Sequence, residues 1–517
     1  MSLPQRFDAP AEGAPVLPPA LRGWPSVLRA GGQASRVGPA EVSAALTRIC
    51  AEALFWPATR ARAARPRALA LGPSWRVVAL AGFPEADVAV DEDLAGVALD
   101  RLETVFGPPD APAMLWAELG GLAGCDTACG GSGGARGGPE PGDIVASARG
   151  VSPWNGAALT LSDAVEAQAA LRRAAAVAKG PVTLVGMSRW KRRCLRPFLT
   201  GPDGPPRAGR IEDAPGPAVV WGGAPAPART PAGAPVLRVE DGFLRSVGLG
   251  LRHVPPLSLT IDAGAPYFDA TGPNAFEAVV GAADFAPALL ARAARLRAAV
   301  ASAGVTKYNL TGDEPLPDPG GRLAVLVPGQ VAGDASIRLG ARAVRDDAGL
   351  LRAARSRFPD GFLLYKPHPD TLAGLRRGAA ETADALAPAD AVVRRANPAA
   401  CLAWADRVAT ITSLMGFEAL LRGKVVTTFG RPFYAGWGLT DDADPPPRLR
   451  QLDLDELVAA ALILYPRYID PDAGLPATPE AALAALLRRR AAADRPAARL
   501  ARLWRDGLSW TLNRLVP

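Results

Sequence analysis

The stretch that decides the fold runs from residue 323 to residue 429, where LAVLVP (323–328), GFLLY (361–365), RVATI (407–411) and KVVTTF (424–429) are separated by longer mixed segments. Short apolar runs rich in β-branched residues predict buried strands, and the segments between them have helical spacing. Strands that alternate with helices predict a parallel sheet with crossover helices on its faces. The same stretch predicts a further strand at 391–393 and helices near 346–357, 376–388, 399–405 and 413–422.

An earlier series of the same kind begins at Pro181. It contains predicted strands at 181–187, 218–221, 235–239 and 256–261, a basic helix at Arg189–Leu199 and a long helix at 274–302. Two such series predict an α/β protein with two facing Rossmann-like domains, which is the GT-B arrangement of nucleotide-sugar transferases. Ligands of doubly wound sheets bind beyond the carboxyl ends of the strands, so residues that directly follow a strand are the candidates for a site.

The remaining chain is assigned from composition and spacing. The predicted units are a disordered tail at 1–22, an unassigned N-terminal region at 23–150 that ends in a Gly-rich linker, a Rossmann-like domain at 175–315, a nucleotide-binding Rossmann-like domain at 320–490 and an amphipathic helix at 491–517. In that last helix, leucines at helical spacing alternate with arginines. This pattern is typical of a helix on a membrane surface, and also of a helix packed on the protein body.

Composition narrows the class of partner. The 517 residues include 58 basic and 51 acidic side chains, a net charge of +7, which favours phosphates, acidic sugars or anionic lipid headgroups. No nucleic-acid recognition module is evident, so no nucleic-acid partner is expected. No signal peptide or apolar membrane span is evident either, and the five scattered cysteines fit a reducing compartment. A cytoplasmic location is therefore expected.

Two adjacent carboxylates, Glu240 and Asp241, follow the strand predicted at 235–239 and precede a glycine. A carboxylate at the end of a strand can act as a nucleophile or as a general base. Arg245 lies close enough in sequence to form an ion pair with it. The alternative is an ordinary Asp-Gly turn with a surface ion pair. These three residues are the candidate catalytic group.

Two further segments indicate a phosphate site. Lys366 and His368 follow the strand GFLLY, and the prolines on either side of the histidine stiffen the loop that carries them. Thr412 and Ser413 follow RVATI and can cap the next helix, whose amino end attracts anions. Glu418 on that helix can accept hydrogen bonds from ribose hydroxyls or can be an ordinary surface residue. The alternative for the histidine is a loop residue satisfied by backbone groups.

The loop after KVVTTF contains Tyr434 and Trp437, which can contact a sugar or a base. The alternative is a structural lid over the core. No Asp-x-Asp pair is placed to hold a divalent metal, so we expect Lys366, His368 and helix amides to stabilise the leaving phosphate. The sequence predicts no metal and no cofactor.

Several long strings, taken together, resemble one family, the KpsC/LpsZ capsule polysaccharide proteins, which are β-Kdo transferases (Kdo is 3-deoxy-manno-octulosonic acid). The matching strings occur in the family's order: WKRRCLRPFL (190–199), VEDGFLRSVGLG (239–250), PPLSLTID (255–262), KYN (307–309), VPGQV with DASI (327–337), YKPHPD (365–370), TSLMGFEALLRGK (412–424), RPFYAGWGLTDD (431–442) and YPRYIDP (465–471). Typical KpsC proteins carry two such modules in tandem. This chain has one, which is most similar to their C-terminal module.

The resemblance implies an enzyme that transfers Kdo from CMP-β-Kdo with retention to a lipid-linked acceptor during capsule biosynthesis. It implies Asp241 as the nucleophile and Glu240 as the acid/base or as a residue that orients its neighbour. It implies that Lys366, His368, Thr412, Ser413 and Glu418 hold CMP, and that Arg245 or Lys191 binds the carboxylate of Kdo. Lys191, Tyr434 and Trp437 are the candidate acceptor or sugar contacts.

The same resemblance implies partners and a place of action. The partners are CMP-Kdo, a lipid-linked Kdo acceptor and other capsule assembly proteins, and the place is the inner face of the inner membrane. Two alternatives stay open. One is a transferase for another CMP-sugar, and the other is a non-catalytic subunit of capsule assembly or export.

Overall fold

The computed structural model describes most of the chain after residue 148. The described ranges are 149–175, 181–201, 204–248, 254–372 and 382–493, with short strands at 28–29, 68–70, 104–107 and 123–126. The predictions of a tail at 1–22 and of a Gly-rich linker at 130–142 lie outside the described residues. So does the predicted amphipathic helix at 491–517, except that residues 491–493 end the helix Pro479–Ala493.

The strands are numbered in chain order. They are β1 (Leu28–Arg29), β2 (Ala68–Ala70), β3 (Thr104–Gly107), β4 (Ala123–Asp126), β5 (Arg149–Val151), β6 (Ala158–Leu159), β7 (Thr183–Leu184), β8 (Arg207–Ala208), β9 (Ala218–Trp221), β10 (Val236–Asp241), β11 (Ser258–Asp262), β12 (Ala324–Pro328), β13 (Phe362–Lys366), β14 (Ala391–Val392), β15 (Arg407–Thr410), β16 (Val425–Thr428), β17 (Asp441–Asp442), β18 (Arg467–Asp470) and β19 (Leu475–Ala477).

The helices are numbered in the same way. They are α1 (Leu161–Ala175), α2 (Arg189–Leu199), α3 (Ala275–Ala282), α4 (Pro287–Ser302), α5 (Ala335–Gly340), α6 (Asp347–Arg357), α7 (Pro369–Leu372), α8 (Ala383–Leu386), α9 (Pro398–Trp404), α10 (Leu414–Leu420), α11 (Leu454–Val458) and α12 (Pro479–Ala493), with a π-helical turn at Ala459–Leu464. No helix in the described ranges is both long and apolar enough to cross a membrane.

The second large sheet confirms the α/β interpretation of the stretch that opens the sequence analysis. Its six strands lie in the order β14-β13-β12-β15-β16-β17, and all of them are parallel. Counted along the chain, this is the order 3-2-1-4-5-6 of doubly wound nucleotide-binding sheets. The order reverses between β12 and β15, so a crevice opens where the loops after these two strands diverge.

The first large sheet departs from the predicted pattern. Its order is β19-β18-β11-β10-β9-β7-β8, and only β8, β7, β9 and β10 are parallel to one another. Strand β11 is antiparallel to β10, and no crossover helix is described in residues 242–248 and 254–257 between them. Strands β18 and β19 complete this sheet, although residues 467–477 fall within the unit assigned from sequence to 320–490.

Helix α2 illustrates how the sequence sets local structure. The Ser188 side chain accepts a hydrogen bond from the backbone N–H of Lys191, which caps the helix at its first turn. Its buried residues, Cys194, Leu195, Phe198 and Leu199, recur at helical spacing, while the basic residues face outward. The bounds are those predicted from sequence.

The long helix predicted at 274–302 is wrong, because the structure has two helices there. Helix α3 ends at Ala282, and α4 begins at Pro287. Ala286 has an extended backbone with ψ of 148° because the proline ring that follows disfavours a helical conformation. Apolar spacing continues across the break, which is why the pattern alone suggested one helix.

One buried apolar cluster connects the two large sheets. Phe243, in the loop after β10, stacks on Phe433 with ring centroids 4.5 Å apart, and it also contacts Phe417 of α10. Phe276 of α3 packs against the same Phe433 ring. Offset aromatic contacts of this kind stabilise by about 1 kcal/mol each beyond the area they bury. The cluster holds the carboxyl ends of β10 and β15 facing each other.

Candidate active site

A cleft of about 440 Å³ lies between the carboxyl ends of the two large sheets. The first-sheet wall consists of Trp190, Lys191, Trp221, Glu240, Asp241 and Arg245. The second-sheet wall consists of Gln330, Lys366, His368, Arg394, Arg395, Thr412 and Ser413. Nine of the eleven site residues predicted from sequence, including Glu418, line this cleft, and the other two are Tyr434 and Trp437.

Asp241 ends β10 and is held by Arg245. The guanidinium Nε donates to Oδ2 of Asp241 at 2.6 Å, and a second guanidinium nitrogen donates to Ser246 Oγ and to the Val254 carbonyl. Arg245 is only 3% exposed, so this charge-assisted bond is shielded from water. Oδ1 of Asp241 is buried and has no hydrogen-bond partner among the described residues. A substrate atom placed there would meet an unsatisfied acceptor.

Glu240, the neighbouring carboxylate, is in a different electrostatic environment. Burial, and then the charge of Asp241, raises the pKa of Glu240 to about 7. Its Oε2 accepts a hydrogen bond from the backbone N–H of Asp241 at 3.3 Å. Its Oε1 packs over Gly222, where φ is +53° and an added Cβ would overlap the carboxylate. The pair therefore offers one carboxylate bound to arginine and one able to exchange a proton near neutral pH.

A segment between the sheets, residues 306–309, bonds to both sides of the cleft. The backbone N–H of Lys307 donates to Oε1 of Glu418 at 2.6 Å, and its carbonyl accepts from the backbone N–H of Ser246. Asn309, with φ of +48°, donates from its side chain to the Ser246 carbonyl. Burial raises the pKa of Glu418 to about 7. Oε1 of Glu418 already accepts a hydrogen bond from the protein, so Oε2 is the oxygen left to accept one from a ribose hydroxyl.

Lys366 and His368 follow β13. The ammonium of Lys366 donates to the Ala396 carbonyl at 2.8 Å, and burial lowers the pKa of Lys366. Nδ1 of His368 accepts from the backbone N–H of Asp370 at 3.1 Å. In the neutral ring, the proton therefore sits on Nε2, which makes that nitrogen a hydrogen-bond donor. The cleft therefore contains one buried ammonium and one imidazole with a defined orientation, both at the carboxyl end of β13.

Thr412 and Ser413 are joined to the loop after β12. The side-chain amide of Gln330 accepts from the backbone N–H of Thr412 and donates to its hydroxyl, both at 2.9 Å. Ser413 caps α10 by accepting from the backbone N–H of Met415 at 3.3 Å. Asp347 accepts from the backbone N–H of Gln330 at 2.9 Å and from the Tyr365 hydroxyl at 2.6 Å. This network fixes both loops at the point where the strand order reverses.

The prediction that Tyr434 and Trp437 contact a sugar is wrong. Tyr434 is 0% exposed and Trp437 is 4% exposed, and neither lines the cleft. The Tyr434 hydroxyl donates to the Ser413 carbonyl at 2.5 Å, and the Trp437 indole donates to the Phe433 carbonyl. Their rings join the apolar cluster, so the alternative of a structural loop describes them.

Sequence reasoning missed several residues of the cleft. Lys307 follows no predicted strand, and no local sequence rule brings it between the two sheets. Trp221 ends β9, and Arg394 and Arg395 follow β14, so inspection of every strand end would have found all three. The two arginines are exposed side chains on the second-sheet wall.

Within the described ranges, no group of three or more His, Cys, Asp or Glu side chains could hold a metal ion. Metal independence stays a prediction.

Comparison with known proteins places the chain among capsule proteins. A family model described as capsule polysaccharide biosynthesis protein matches residues 308–468. The capsule polysaccharide modification protein LipA of Neisseria meningitidis serogroup B is 38% identical over 352 residues, which are 66% of this chain and 50% of LipA. The lipopolysaccharide-processing protein LpsZ of Rhizobium meliloti is 45% identical over 258 residues, 49% of this chain and 58% of LpsZ. The chain thus spans about half the length of LipA.

Two solved structures of Thermosulfurimonas dismutans KpsC are similar as well. The β-Kdo 2,7 transferase is 31% identical with a TM-score of 0.50, covering 60% of this chain and 100% of that one. The β-Kdo 2,4 transferase is 33% identical with a TM-score of 0.52, covering 59% of this chain and 98% of that one.

Proposed function

Because this chain belongs to the KpsC/LpsZ-like family of capsule polysaccharide proteins, we propose that it is a glycosyltransferase that moves Kdo from CMP-β-Kdo to a lipid-linked acceptor. The observation that carries the proposal is the single cleft in which Glu240 and Asp241 face Lys366, His368 and Ser413. A carboxylate pair on one side and phosphate-binding groups on the other are what transfer from a nucleotide sugar requires.

The proposed architecture is GT-B. The all-parallel second sheet would bind the nucleotide, and the mixed first sheet would carry the reacting carboxylates and receive the acceptor. The proposed donor site lies at the crevice after β12 and β15, because the strand order reverses there. The residues assigned to it are Lys366, His368, Thr412, Ser413 and Glu418.

The donor would be held through its phosphate. The Lys366 ammonium supplies a positive charge, and Nε2 of His368 supplies a directed hydrogen bond, so together they stabilise the charge that grows on CMP as it leaves. Gln330 holds Thr412 in place, which keeps the donor loop rigid. These groups would stabilise the leaving CMP without a metal ion.

The proposed reaction has two displacements. The Asp241 carboxylate attacks the anomeric carbon of Kdo, the bond from that carbon to the phosphate oxygen breaks, and CMP leaves with the electron pair. An acceptor hydroxyl then attacks the same carbon, its proton passes to Glu240, and the bond to Asp241 breaks. Two inversions give net retention, and a base with a pKa of about 7 is suited to the second step.

The proposed place of action is the inner face of the inner membrane, where the chain would meet its lipid-linked acceptor and other capsule assembly proteins. The net charge of +7 supports an acidic acceptor or surface.

One experiment tests the whole proposal. Purified protein is incubated with CMP-Kdo, generated in situ, and a synthetic lipid acceptor that ends in Kdo, and the product is followed by mass spectrometry. Wild type is expected to form product, and Asp241→Ala is not. The matched control is Asp213→Ala, at an exposed aspartate outside the cleft, which is expected to keep full activity. Full activity in Asp241→Ala would remove the nucleophile from the proposal. Transfer of sialic acid but not of Kdo would remove the donor.

A further inference from the structure

Lys307 is a residue of the cleft that has no task in the mechanism above. Its backbone is bonded to both sides of the cleft, because its N–H donates to Glu418 of α10 and its carbonyl accepts from Ser246 in the loop after β10. Its side chain is half-buried and lines the cleft. The side chain therefore reaches the cleft from a backbone that is anchored to both walls.

The ammonium of Lys307 is available to a ligand. It lies 5.4 Å from the centroid of the Tyr308 ring, within the range of a cation–π contact. Among the described residues it has no hydrogen-bond or ion-pair partner. Burial opposes the charged form, but Tyr308, Tyr267 and Asp241 favour it, and the pKa of Lys307 is raised. The side chain is thus a cation at neutral pH, and a shielded cation without a counter-ion is costly.

The charge of Lys307 acts on both carboxylates of the proposed reaction. Asp241 favours the charged lysine, and the lysine opposes part of the rise that burial causes in the pKa of Glu240. The other cation beside Asp241 is already committed. Arg245 is buried, and it donates to Asp241, to Ser246 Oγ and to a backbone carbonyl. Lys307 is therefore placed to pair with an anion that arrives with the substrate.

The proposed reaction brings an anion to this point. Asp241 attacks the anomeric carbon of the donor, and in a 2-ulosonic acid such as Kdo that carbon carries a carboxylate. This carboxylate would arrive beside Glu240 and Asp241, and like charges repel strongly where water is excluded. Arg245 offsets the charge of Asp241. A second cation is needed to offset the charge of the sugar.

The two lysines of the cleft that follow residue 300 have different surroundings. Apart from burial, the charges that act on Lys307 include those of Asp241 and Arg245, on the first-sheet wall. Those that act on Lys366 include that of Glu314 and none from the carboxylate pair. Lys366 is therefore suited to the leaving phosphate, and Lys307 is suited to a group close to the reacting carbon.

We infer that Lys307 binds the carboxylate on the anomeric carbon of the donor sugar and thereby selects 2-ulosonic acids over aldoses. An aldose has a hydrogen atom at that position and would leave the ammonium unpaired, so the cleft would disfavour it. The inference rests on the proposed function, because it takes Asp241 as the nucleophile. It adds the residue that reads the sugar half of the donor, separately from the groups that hold CMP.

The test uses donor analogues that differ only in charge. A CMP-Kdo analogue with a methylene group in place of the bridging oxygen cannot be cleaved, so its binding to the wild-type protein is measured by calorimetry. It is compared with its carboxamide, in which the sugar carboxylate is neutral, and with CMP. Wild type is expected to bind the acid about 10- to 100-fold more tightly than the carboxamide, because one charge-assisted hydrogen bond is lost.

Three lysine variants locate this preference. Lys307→Met is expected to bind acid and carboxamide equally and to keep its CMP affinity within about twofold, since the backbone contact with Glu418 does not involve the side chain. Lys366→Met is expected to weaken all three compounds about 10-fold or more and to keep the preference for the acid. Lys424→Met is the matched control, because Lys424 lies outside the cleft, and it is expected to change nothing.

A preference for the acid that survives in Lys307→Met would overturn the inference. A loss of CMP affinity in Lys307→Met as large as its loss for the acid would also overturn it, because the lysine would then serve the nucleotide or the fold. Equal binding of acid and carboxamide by wild type would do the same.

Failure of the proposed function gives a different result, because these titrations need no transfer. If wild type transfers no Kdo to the lipid acceptor but shows an acid preference that depends on Lys307, the proposed function fails and the carboxylate site stands. If wild type transfers Kdo and the preference does not depend on Lys307, only the inference fails.

Discussion

The two walls of the cleft use charge in opposite ways. On the second-sheet wall, polar side chains form hydrogen bonds with backbone groups: the Lys366 ammonium donates to the Ala396 carbonyl, and the Gln330 side chain accepts from the backbone N–H of Thr412. On the first-sheet wall, charged side chains hold one another, as in the pair of Asp241 and Arg245. The difference teaches that side chains held in place by backbone hydrogen bonds are suited to binding a substrate group in one position, as proposed for the donor phosphate. Adjacent opposed charges, in contrast, tune the reactivity of carboxylates.

A second comparison concerns a buried aspartate beside each sheet that accepts a hydrogen bond from a tyrosine hydroxyl. Asp262 accepts from Tyr465 at 2.8 Å in the first sheet, and Asp347 accepts from Tyr365 at 2.6 Å in the second. Burial raises the pKa of Asp262 to about 7 and that of Asp347 to about 6. Only Asp347 also supports a residue of the cleft, Gln330. The Asp347 pair is therefore expected to affect the geometry of the cleft, and the Asp262 pair only the stability of the fold.

The largest expected effect is at Asp241. Asp241→Asn keeps the shape of the side chain but removes the negative charge of the proposed nucleophile, so transfer is expected to fall about 10⁴-fold or more. CMP affinity, measured by calorimetry, is expected to stay within about twofold because the nucleotide groups lie on the other wall. A comparable loss of CMP affinity would show that the two walls do not divide binding from chemistry.

The next largest effect concerns pH. The pKa of Glu240 is raised to about 7, and a general base acts only when ionised, so transfer is expected to rise as pH increases through about 7. Glu240→Gln is expected to lower transfer about 10²- to 10⁴-fold and to remove this pH dependence. Glu418→Gln is the control, because burial raises the pKa of Glu418 to a similar value. If the pH dependence disappears in Glu418→Gln instead, Glu418 rather than Glu240 is the titrating group, and the assignment of Glu240 as the base is wrong.

His368→Ala tests the second-sheet wall. Loss of a directed hydrogen bond to a charged phosphate is expected to weaken CMP binding about 10- to 100-fold. The rate at saturating donor should fall less than for Asp241→Asn. Unchanged affinity for CMP would mean that the imidazole faces another part of the substrate.

A smaller effect is expected from the two buried aspartates. Asp347 accepts one hydrogen bond on each carboxylate oxygen, from the Gln330 backbone and from the Tyr365 hydroxyl. The single amide oxygen of Asp347→Asn cannot keep both in the original geometry, so Gln330 is held less firmly and CMP affinity is expected to fall about fivefold. Asp262→Asn disturbs the corresponding pair of the first sheet and is expected to change thermal stability without changing CMP affinity. Equal losses of CMP affinity in the two variants would indicate a general loosening of the fold.

No effect is expected from chelation. Transfer measured with and without EDTA should agree, since Lys366 and His368 are proposed to stabilise the leaving phosphate. Activity that disappears with EDTA and returns with a divalent cation would contradict this prediction.

Much of the local structure was accessible from the sequence. Helix α2 has the predicted bounds, and β9 spans the predicted residues 218–221. The break between α3 and α4 was missed, although Pro287 signals it, because apolar spacing continues on both sides. Tyr434 and Trp437 were misassigned because an aromatic loop residue has the same composition whether it faces a ligand or a core.

By itself, the sequence determined five of the six strands of the second large sheet, helix α2 and the polar residues that follow these strands, because these features depend on neighbours within a few positions. Only the tertiary structure decided that the backbone N–H of Lys307 bonds to Glu418, that Gly222 packs against the Glu240 carboxylate and that β18 returns to the first sheet. These contacts join residues that are not neighbours in the chain, and they depend on strand pairing within the first sheet or on how the two sheets pack around the apolar cluster. The carboxylates of VEDGF and the basic loop of YKPHPD were visible as motifs, and packing made them opposite walls of one cleft.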